Sequence, residues 1–599
     1  MRRTYVINTR RTKRIIALAV GLSLVAAACG GDDDATDEPA DQPADEPADE
    51  PADEPADADE PADEPADEPA GMDFSAAAMK LTVDLNPDAV WDDGTPITIV
   101  DLQCTLDANL FTPGSLSTVG FDQIIGMEAG SSDKQAVIYF STVYAPYKTL
   151  FNPILKASRH DDCKDVSLDF EDDPPDSGRA FKFQEFNAGQ SILVANENYF
   201  GAPPVTDKIV FVPFADQDTE LAALAAGEVD WISPQYDPSF AALAEQDIIG
   251  LDLAFGADYE GFYFQMSDDP TNIGPFANAD YREAFYKSID RVSAFEQIYV
   301  PIGGPDAPLL NCGPITPGPY CPDNATGPFA GNYDLAGAAA GLEAAGWTMG
   351  GDGFWVNPDG EVPEVRWIIN TGNTRRESMQ AYLIPLLAAA GFKVVPDNCD
   401  AACYFQQRLP ALDYDMAMYI STAPPDPSYL TASFTCDQIP TEANDYVGQN
   451  SGGWCNEQAS ANLLEADETA DQATREALII EALELMAADH AMLPLFQFPA
   501  SSIWRTDRLD DASASRDTIN YMSVARSLPF MEDIDGDGQI VLGAEQWPEC
   551  LNPVTECANS SWYVWTVSFP VMPGLWDTTN AQTFEATDLL ASEPVAEVL

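Results

Sequence analysis

From Lys80 onward the apolar positions follow two different spacings. Short runs rich in β-branched and aromatic residues, Ile192 to Ala195 and Lys208 to Pro213, read as strands. Between and after them, apolar residues recur three and four places apart, the spacing that lines one face of a helix. This predicts helices over Thr219 to Ala226, Tyr281 to Ile289, Asp334 to Ala345, Arg376 to Ala390 and Ala473 to Ala488. Gly391 stands where a helix ends on a left-handed glycine, and Phe392 to Pro396 reads as the strand that follows. Strands alternating with helices give an α/β texture.

The first residues have a different pattern. Arg2, Arg3, Arg10, Arg11, Lys13 and Arg14 precede a short apolar run, Ile15 to Ala28, and then Cys29. A basic start followed by a run too short to span a bilayer reads as an export signal. Ala26, Ala27 and Ala28 before Cys29 resemble a bacterial lipobox, with Ala26 in place of its usual larger residue. Cys29 is therefore the expected lipidated residue; a plainly cleaved signal is the alternative. Arg10 and Arg11 form a pair, but the residues after them suit general secretion better than twin-arginine export.

Between Asp32 and Gly71 the chain repeats Glu-Pro-Ala-Asp, with no apolar residue larger than Ala or Pro. Such a segment cannot bury enough surface to fold, and its like charges repel, so an extended tether is expected. The remainder is long enough for more than one core: 599 residues in all, 45% hydrophobic and 10% aromatic. The formal charge is −71, more than the repeat alone supplies. Nucleic acid and anionic lipid are excluded as partners by that charge, and a saline habitat would suit it.

Eleven cysteines less a lipidated Cys29 leave an even ten, which suits an oxidising compartment. Proximity suggests Cys312 with Cys321, Cys399 with Cys403, Cys436 with Cys455 and Cys550 with Cys557, leaving Cys104 with Cys163. A zinc site is disfavoured, since His160 and His490 are the only histidines and no two CxxC pairs occur.

Several segments, in order, resemble the peptide and nickel class of ABC-transporter solute-binding proteins, family 5. They begin with Asn86-Pro-Asp-Ala-Val-Trp-Asp-Asp-Gly-Thr-Pro-Ile-Thr98 and Asn196-Glu-Asn-Tyr-Phe-Gly201, and continue with Leu221-Ala-Ala-Leu-Ala-Ala-Gly-Glu-Val-Asp230. The most specific is Gly274-Pro-Phe-Ala-Asn-Ala-Asp-Tyr-Arg-Glu-Ala-Phe-Tyr-Lys-Ser-Ile-Asp-Arg291. Tyr333-Asp334, Leu342 to Trp347, Asp352-Gly353, Tyr414-Asp415 and Asp426-Pro427 keep the order, over roughly residues 80 to 525.

One departure concerns chain order. The segment with which family members open is missing ahead of Asn86, while Gln539 to Pro553, Ser560-Ser-Trp562 and Pro573 to Pro594 resemble it at the other end. This suggests a circular permutation, with a truncated second copy as the rival reading. Near the join, Asp533, Asp535, Asp537 and Gln539 have the spacing of a calcium loop, with a glycine sixth at Gly538, but the twelfth position is Ala544, with Glu545 one place late. A solvated acidic turn is the alternative. No cofactor is required beyond this candidate structural Ca²⁺.

The resemblance implies a two-lobed, type II periplasmic-binding-protein-like α/β fold with hinge crossovers and a large extra subdomain. It implies a signal at 1–29, an acidic linker at 30–71, lobe I at 72–264 and 493–599, and lobe II at 265–492. The crossovers should lie near Tyr259 to Met266 and Leu493 to Pro499. A solute trapped between the lobes would meet Tyr259, Phe262, Tyr419, Ile420, Ser421, Asp426, Asn450, Trp454, Phe496, Phe498 and Trp562. In peptide-binding members the segment before Asp-Pro carries a tryptophan and an aspartate that holds the peptide's amino group; here those places are Ile420 and Ala423. Peptides remain the default solute, with opines, oligosaccharides and metal chelates open, and two histidines make bare nickel a poor fit. The expected protein is a lipid-anchored, extracytoplasmic monomer that hands its solute to an ABC permease. A surface adhesin is the alternative. An enzyme is disfavoured, because no nucleophile elbow, HExxH or acid/base pair beside a histidine occurs.

Overall fold

The computed structural model describes residues 74–599 apart from 171–172, 238–239, 241–242, 244, 268–272, 300–308, 442–443, 445–447, 516–522 and 580–581. The expected signal, Cys29 and the acidic repeat lie outside the described residues.

The chain begins with β1 (Met79–Asp84), the helix Ile99–Phe111, β2 (Ile124–Ala129) and β3 (Gln135–Phe140). Next come β4 (Phe181–Asn187), β5 (Gln190–Ala195), β6 (Lys208–Phe214), β7 (Trp231–Ile232) and the long β8 (Ile249–Phe264). A helix-rich stretch carries β9 (Thr348–Met349), β10 (Trp355–Val356), β11 (Glu364–Ile368), β12 (Lys393–Pro396) and β13 (Met416–Thr422). The long β14 (Met492–Arg505) returns, followed by β15 (Ile540–Glu545), β16 (Trp576–Thr578), β17 (Phe584–Ala586) and β18 (Val595–Val598).

Ten of these strands form one mixed sheet in the order β12-β11-β13-β8-β14-β7-β15-β6-β5-β4. Strands β8 and β14 pair antiparallel from Met492 opposite Tyr263 to Arg505 opposite Ile249, and each is long enough to serve both halves of the sheet. They are the two crossovers, and on either side of them lie the two lobes. Every residue of β14 is buried, as expected of a strand covered on both faces. The β11–β13 side packs around one large core that includes Trp367, Leu383 and Leu483. The β4–β6 and β15 side has its own core around Phe211, Leu542 and Val567.

A second, four-stranded sheet, β18-β1-β3-β2, makes the extra subdomain. Strand β1 alternates buried and half-buried residues, the pattern of a sheet with one wet face. Its core, with Trp91 and Phe140, is completed from the far end of the chain by Leu575, Trp576 and Leu589.

Helix starts follow from local caps. Thr98 and Asp101 form a reciprocal capping box, and Asn373 accepts from the Arg376 N–H at 3.1 Å to start the helix Thr374–Ala389. Gly227 closes the helix Gln217–Ala226 at φ +77°, a conformation a side chain would strain. All five expected disulfides form, Cys104–Cys163, Cys312–Cys321, Cys399–Cys403, Cys436–Cys455 and Cys550–Cys557. In the chain-entropy account the Cys104 bridge, with a separation of 59 residues, is worth ~4 kcal/mol and the four-residue Cys399 bridge ~2. No described helix is long and apolar enough to cross a membrane.

Candidate ligand-binding cleft

Strand β13 lies antiparallel to β8, with Tyr419 opposite Gly261, Ser421 opposite Tyr259 and Thr422 opposite Asp258. Residues directly opposite share a face, and successive residues alternate. Tyr259, Tyr263, Tyr419 and Ser421 therefore stand together. The Tyr263 and Tyr419 rings stack at 3.9 Å, and the Tyr263 and Ser421 hydroxyls lie 2.8 Å apart. Burial pushes the Tyr259 phenol up to about 12, against hydrogen bonds with Tyr263 and Ser421, so this wall is neutral.

This wall bounds a cavity of about 580 Å³, a volume suited to a small organic solute or short peptide. The cavity also takes Asn450 and Trp454 from the β11–β13 lobe, and Trp562, Trp565 and Glu556 from the tail of the other. The lobes meet around it. The turn Glu556–Asn559 packs against the helical turn Cys403–Arg408, and the Ala145 N–H donates to the Asp467 carbonyl at 2.8 Å.

Of the expected contacts, Tyr259, Tyr419, Ile420, Ser421, Asn450, Trp454 and Trp562 line this cavity. Phe262, Asp426, Phe496 and Phe498 do not, and each has a physical reason. Phe262 is out of phase with Tyr259 and Tyr263, and packs edge-on against Trp367 at 5.4 Å in the core. Phe496 pairs with Glu260 and lies 4.1 Å from the Tyr299 ring, on the face away from the tyrosines. Phe498 lies under the Arg375 guanidinium at 4.7 Å. Asp426 is held by Arg475 through two hydrogen bonds of 2.7 and 2.8 Å, a structural ion pair.

Beneath the cleft, Arg375 and Arg376 occupy the first turn of their helix, where the helix dipole disfavours cations. Glu260 answers both, accepting from Arg375 and Arg376 at 2.9 Å each, with Tyr299 donating at 2.8 Å. Burial alone would raise the Glu260 carboxyl, but the two guanidiniums override it and hold it down at about 2. Asp258 and Glu556 are different: burial pushes them up to about 6 and about 7, with only Thr422 and Asn559, respectively, opposing.

Tyr263, Asp258, Arg376, Glu556 and Trp565 line the cavity without having been expected there. Tyr263 was within reach of sequence, being on the same strand parity as Tyr259. Trp565, one helical turn beyond Trp562, gives a comparable signal. Nothing in the sequence brings Asp258 and Glu556, about 300 residues apart, to one cavity.

At the candidate calcium loop, carboxylate oxygens of Asp533, Asp535 and Asp537 lie within 4.8 Å of one another. Asp533 already accepts from the N–H groups of Asp535, Gly536 and Gly538 at 3.0, 3.1 and 2.8 Å. Gln539 enters through its backbone, which donates to Asp537 at 3.0 Å. Glu545 is turned into the core, where its charge interacts with that of Glu220, and so does not return to the loop.

Comparison with known proteins agrees with this architecture. A family model described as bacterial extracellular solute-binding proteins, family 5 middle, matches residues 67–440. The chain belongs to this family. The oligopeptide-binding protein OppA of Mycobacterium tuberculosis (strain ATCC 25618 / H37Rv) is 24% identical over 457 residues, covering 75% of this chain and 74% of that protein. Among solved structures, the oligopeptide-binding protein AppA of Bacillus subtilis, in complex with a nonapeptide, superposes with a TM-score of 0.62 at 19% identity, covering 72% of this chain and 84% of that one. NikZ of Campylobacter jejuni, in complex with Ni(L-His), gives 0.61 at 18% identity, with 73% and 85% covered. The fold is thus the type II, two-lobed fold of the solute-binding proteins, and no finding favours an adhesin.

Proposed function

We propose that this family member is the extracytoplasmic receptor of an ABC importer, which captures a peptide or similar small solute between its lobes and delivers it to a membrane permease. The observation that carries the reading is the cavity of about 580 Å³ walled by crossover strand β8, by β13 and by the tail of the opposite lobe. A site shared by two lobes about paired hinge strands can couple ligand binding to closure. Residues 72–264 and 493–599 form lobe I in this reading, and 265–492 lobe II. Cys29 carries the lipid that keeps the monomeric receptor on the outer face of the cell membrane. Family membership supports a binding role over an enzymatic one.

The chain order is that of a circular permutant. In support, β15 lies inside the large sheet beside β6, and β18 pairs with β1 so that Val598 stands opposite Met79. The tail thus completes a fold that has no second copy of it among the described residues. Asp533, Asp535 and Asp537, with Gln539, would hold a Ca²⁺ that stiffens the join.

A thermal-shift screen tests the reading, because a ligand bound only by the folded state must stabilise it. Peptide pools of two to six residues, sugars and metal chelates are each added with and without calcium. A saturable rise with one pool is expected. A cooperatively folded protein that no pool shifts contradicts capture, and a rise with calcium alone supports only the Asp533 loop.

A further inference from the structure

The charges lining the cleft do not balance. Asp258, Glu556 and Arg376 are the charged side chains among its described lining residues. Arg376 is already matched: its Nε donates to Glu260 at 2.9 Å and its Nη1 to Asn370. Asp258 is 3% exposed, yet among the described residues its one hydrogen bond comes from the neutral Thr422 hydroxyl at 2.8 Å. No lysine, arginine or histidine among the described residues forms an ion pair with Asp258 or Glu556, whereas the buried carboxylates Glu260 and Asp230 each have one; Glu220 and Glu545 are also buried without one, but neither lines the cavity.

A carboxylate buried without a counter-charge is costly. A protein whose purpose is to close on a solute can leave that charge for the solute to match. We propose, resting on the capture reading above, that the cleft selects a cationic solute, whose ammonium or guanidinium group pairs with Asp258 and whose second basic group meets Glu556. The remaining walls fit such a guest. Tyr259, Tyr419, Trp562 and Trp565 present aromatic faces, which attract cations as well as apolar stems; Asp258 stands on crossover strand β8 and Glu556 in the tail of lobe I, while Tyr419 comes from lobe II. A dibasic solute held on these two groups would lay its apolar stem against Tyr419 of lobe II, and so favour the closed state. The raised proton affinities of both carboxyls agree with sites that lack a partner until the ligand arrives.

Titration calorimetry of the full-length chain with tri-lysine, tri-norleucine and tri-glutamate tests this, because the three differ mainly in side-chain charge. A chain of net charge −71 attracts any polycation, so the comparison is made in about 0.5 M salt, where the Debye length falls to roughly 4 Å and surface attraction is screened. Tri-lysine should bind at least about tenfold more tightly than tri-norleucine. Asp258→Asn should remove most of that preference and Glu556→Gln part of it, while the exposed-loop variant Asp352→Asn leaves it intact. Asp258→Asn removes an unpaired buried charge without changing shape, so it should fold, and a thermal melt checks that it does. Equal or tighter binding of tri-norleucine or tri-glutamate overturns the inference, as does an unchanged tri-lysine affinity in Asp258→Asn. If none of the three binds, the basic-peptide inference fails, while a shift by another pool in the wider screen leaves capture standing.

Discussion

The Nη2 of Arg375 donates to Oε1 of Glu260 at 2.9 Å, with both side chains out of solvent. The same guanidinium reaches Gln235 at 3.0 and 3.1 Å, beyond β7 in the other lobe, and stacks on Phe498 of β14. One residue of the helix Thr374–Ala389 is therefore tied to both crossovers and to the opposite lobe. Glu260→Gln leaves two buried guanidiniums without a counter-charge, and its expected effect is a loss of about 3–5 kcal/mol, read by urea unfolding. Arg375→Met should lose less, because Glu260 keeps Arg376.

Ring position separates ligand contacts from core. Trp562→Ala should weaken binding of whichever pool the protein captures by about tenfold or more, with the melting temperature nearly unchanged. Phe262→Ala should do the reverse, lowering stability by about 3–5 kcal/mol through the cavity left beside Trp367. Calorimetry and thermal melts on both variants check the contrast.

The buried acids predict an unusual pH dependence. Burial pushes the Glu545 carboxyl up to about 7, against Arg375 and Arg376, and raises that of fully buried Glu220 well above its ordinary value. An acid whose folded pKa exceeds its unfolded one binds more protons folded than unfolded. Its contribution is therefore most favourable in acid and is lost as pH rises from about 4.5 through about 7. Stability should fall between pH 5 and pH 8, and Glu545→Gln should flatten that slope and stabilise the protein at pH 8 by on the order of 1–3 kcal/mol. Urea midpoints across this range measure it.

The proposed permutation predicts that the family order is still foldable. The Leu599 N–H donates to the Ala78 carbonyl at 2.8 Å, so a two-residue turn can join the antiparallel strands β18 and β1. Joining Leu599 to Ala78 through Asn-Gly, with new ends opened between Gly536 and Gly538, should give a protein that melts cooperatively within about 5 °C of the original, a change of at most roughly 5 kcal/mol for a chain this large. Failure to fold would contradict the permutation.

Where the sequence was informative, local physics was strong. Ala473 to Ala488 was expected as a helix and runs Gln472–Ala488, capped by Asp471. Both crossovers lie where the resemblance placed them, though β14 extends on to Arg505. Aromatic residues on those strands were harder. Parity alone does not set Phe262 apart, because Asp258, on the same side of β8, lines the cavity. Phe496 and Phe498 were no easier, because β14 carries register shifts between Pro494 and Phe496 and between Gln497 and Pro499, which reset which side chains face the cleft. The uncompensated state of Asp258 was also out of reach, since a missing partner is a property of the fold and not of its neighbours in the chain.

The central claim is capture by closure, and small-angle X-ray scattering during titration tests it most directly. The account predicts that the pool which raises the melting temperature also lowers the radius of gyration, saturating at the same concentration, or leaves it constant only if the unliganded protein already has the scattering curve of the closed structure. A saturating ligand that leaves an open scattering curve unchanged would contradict the account.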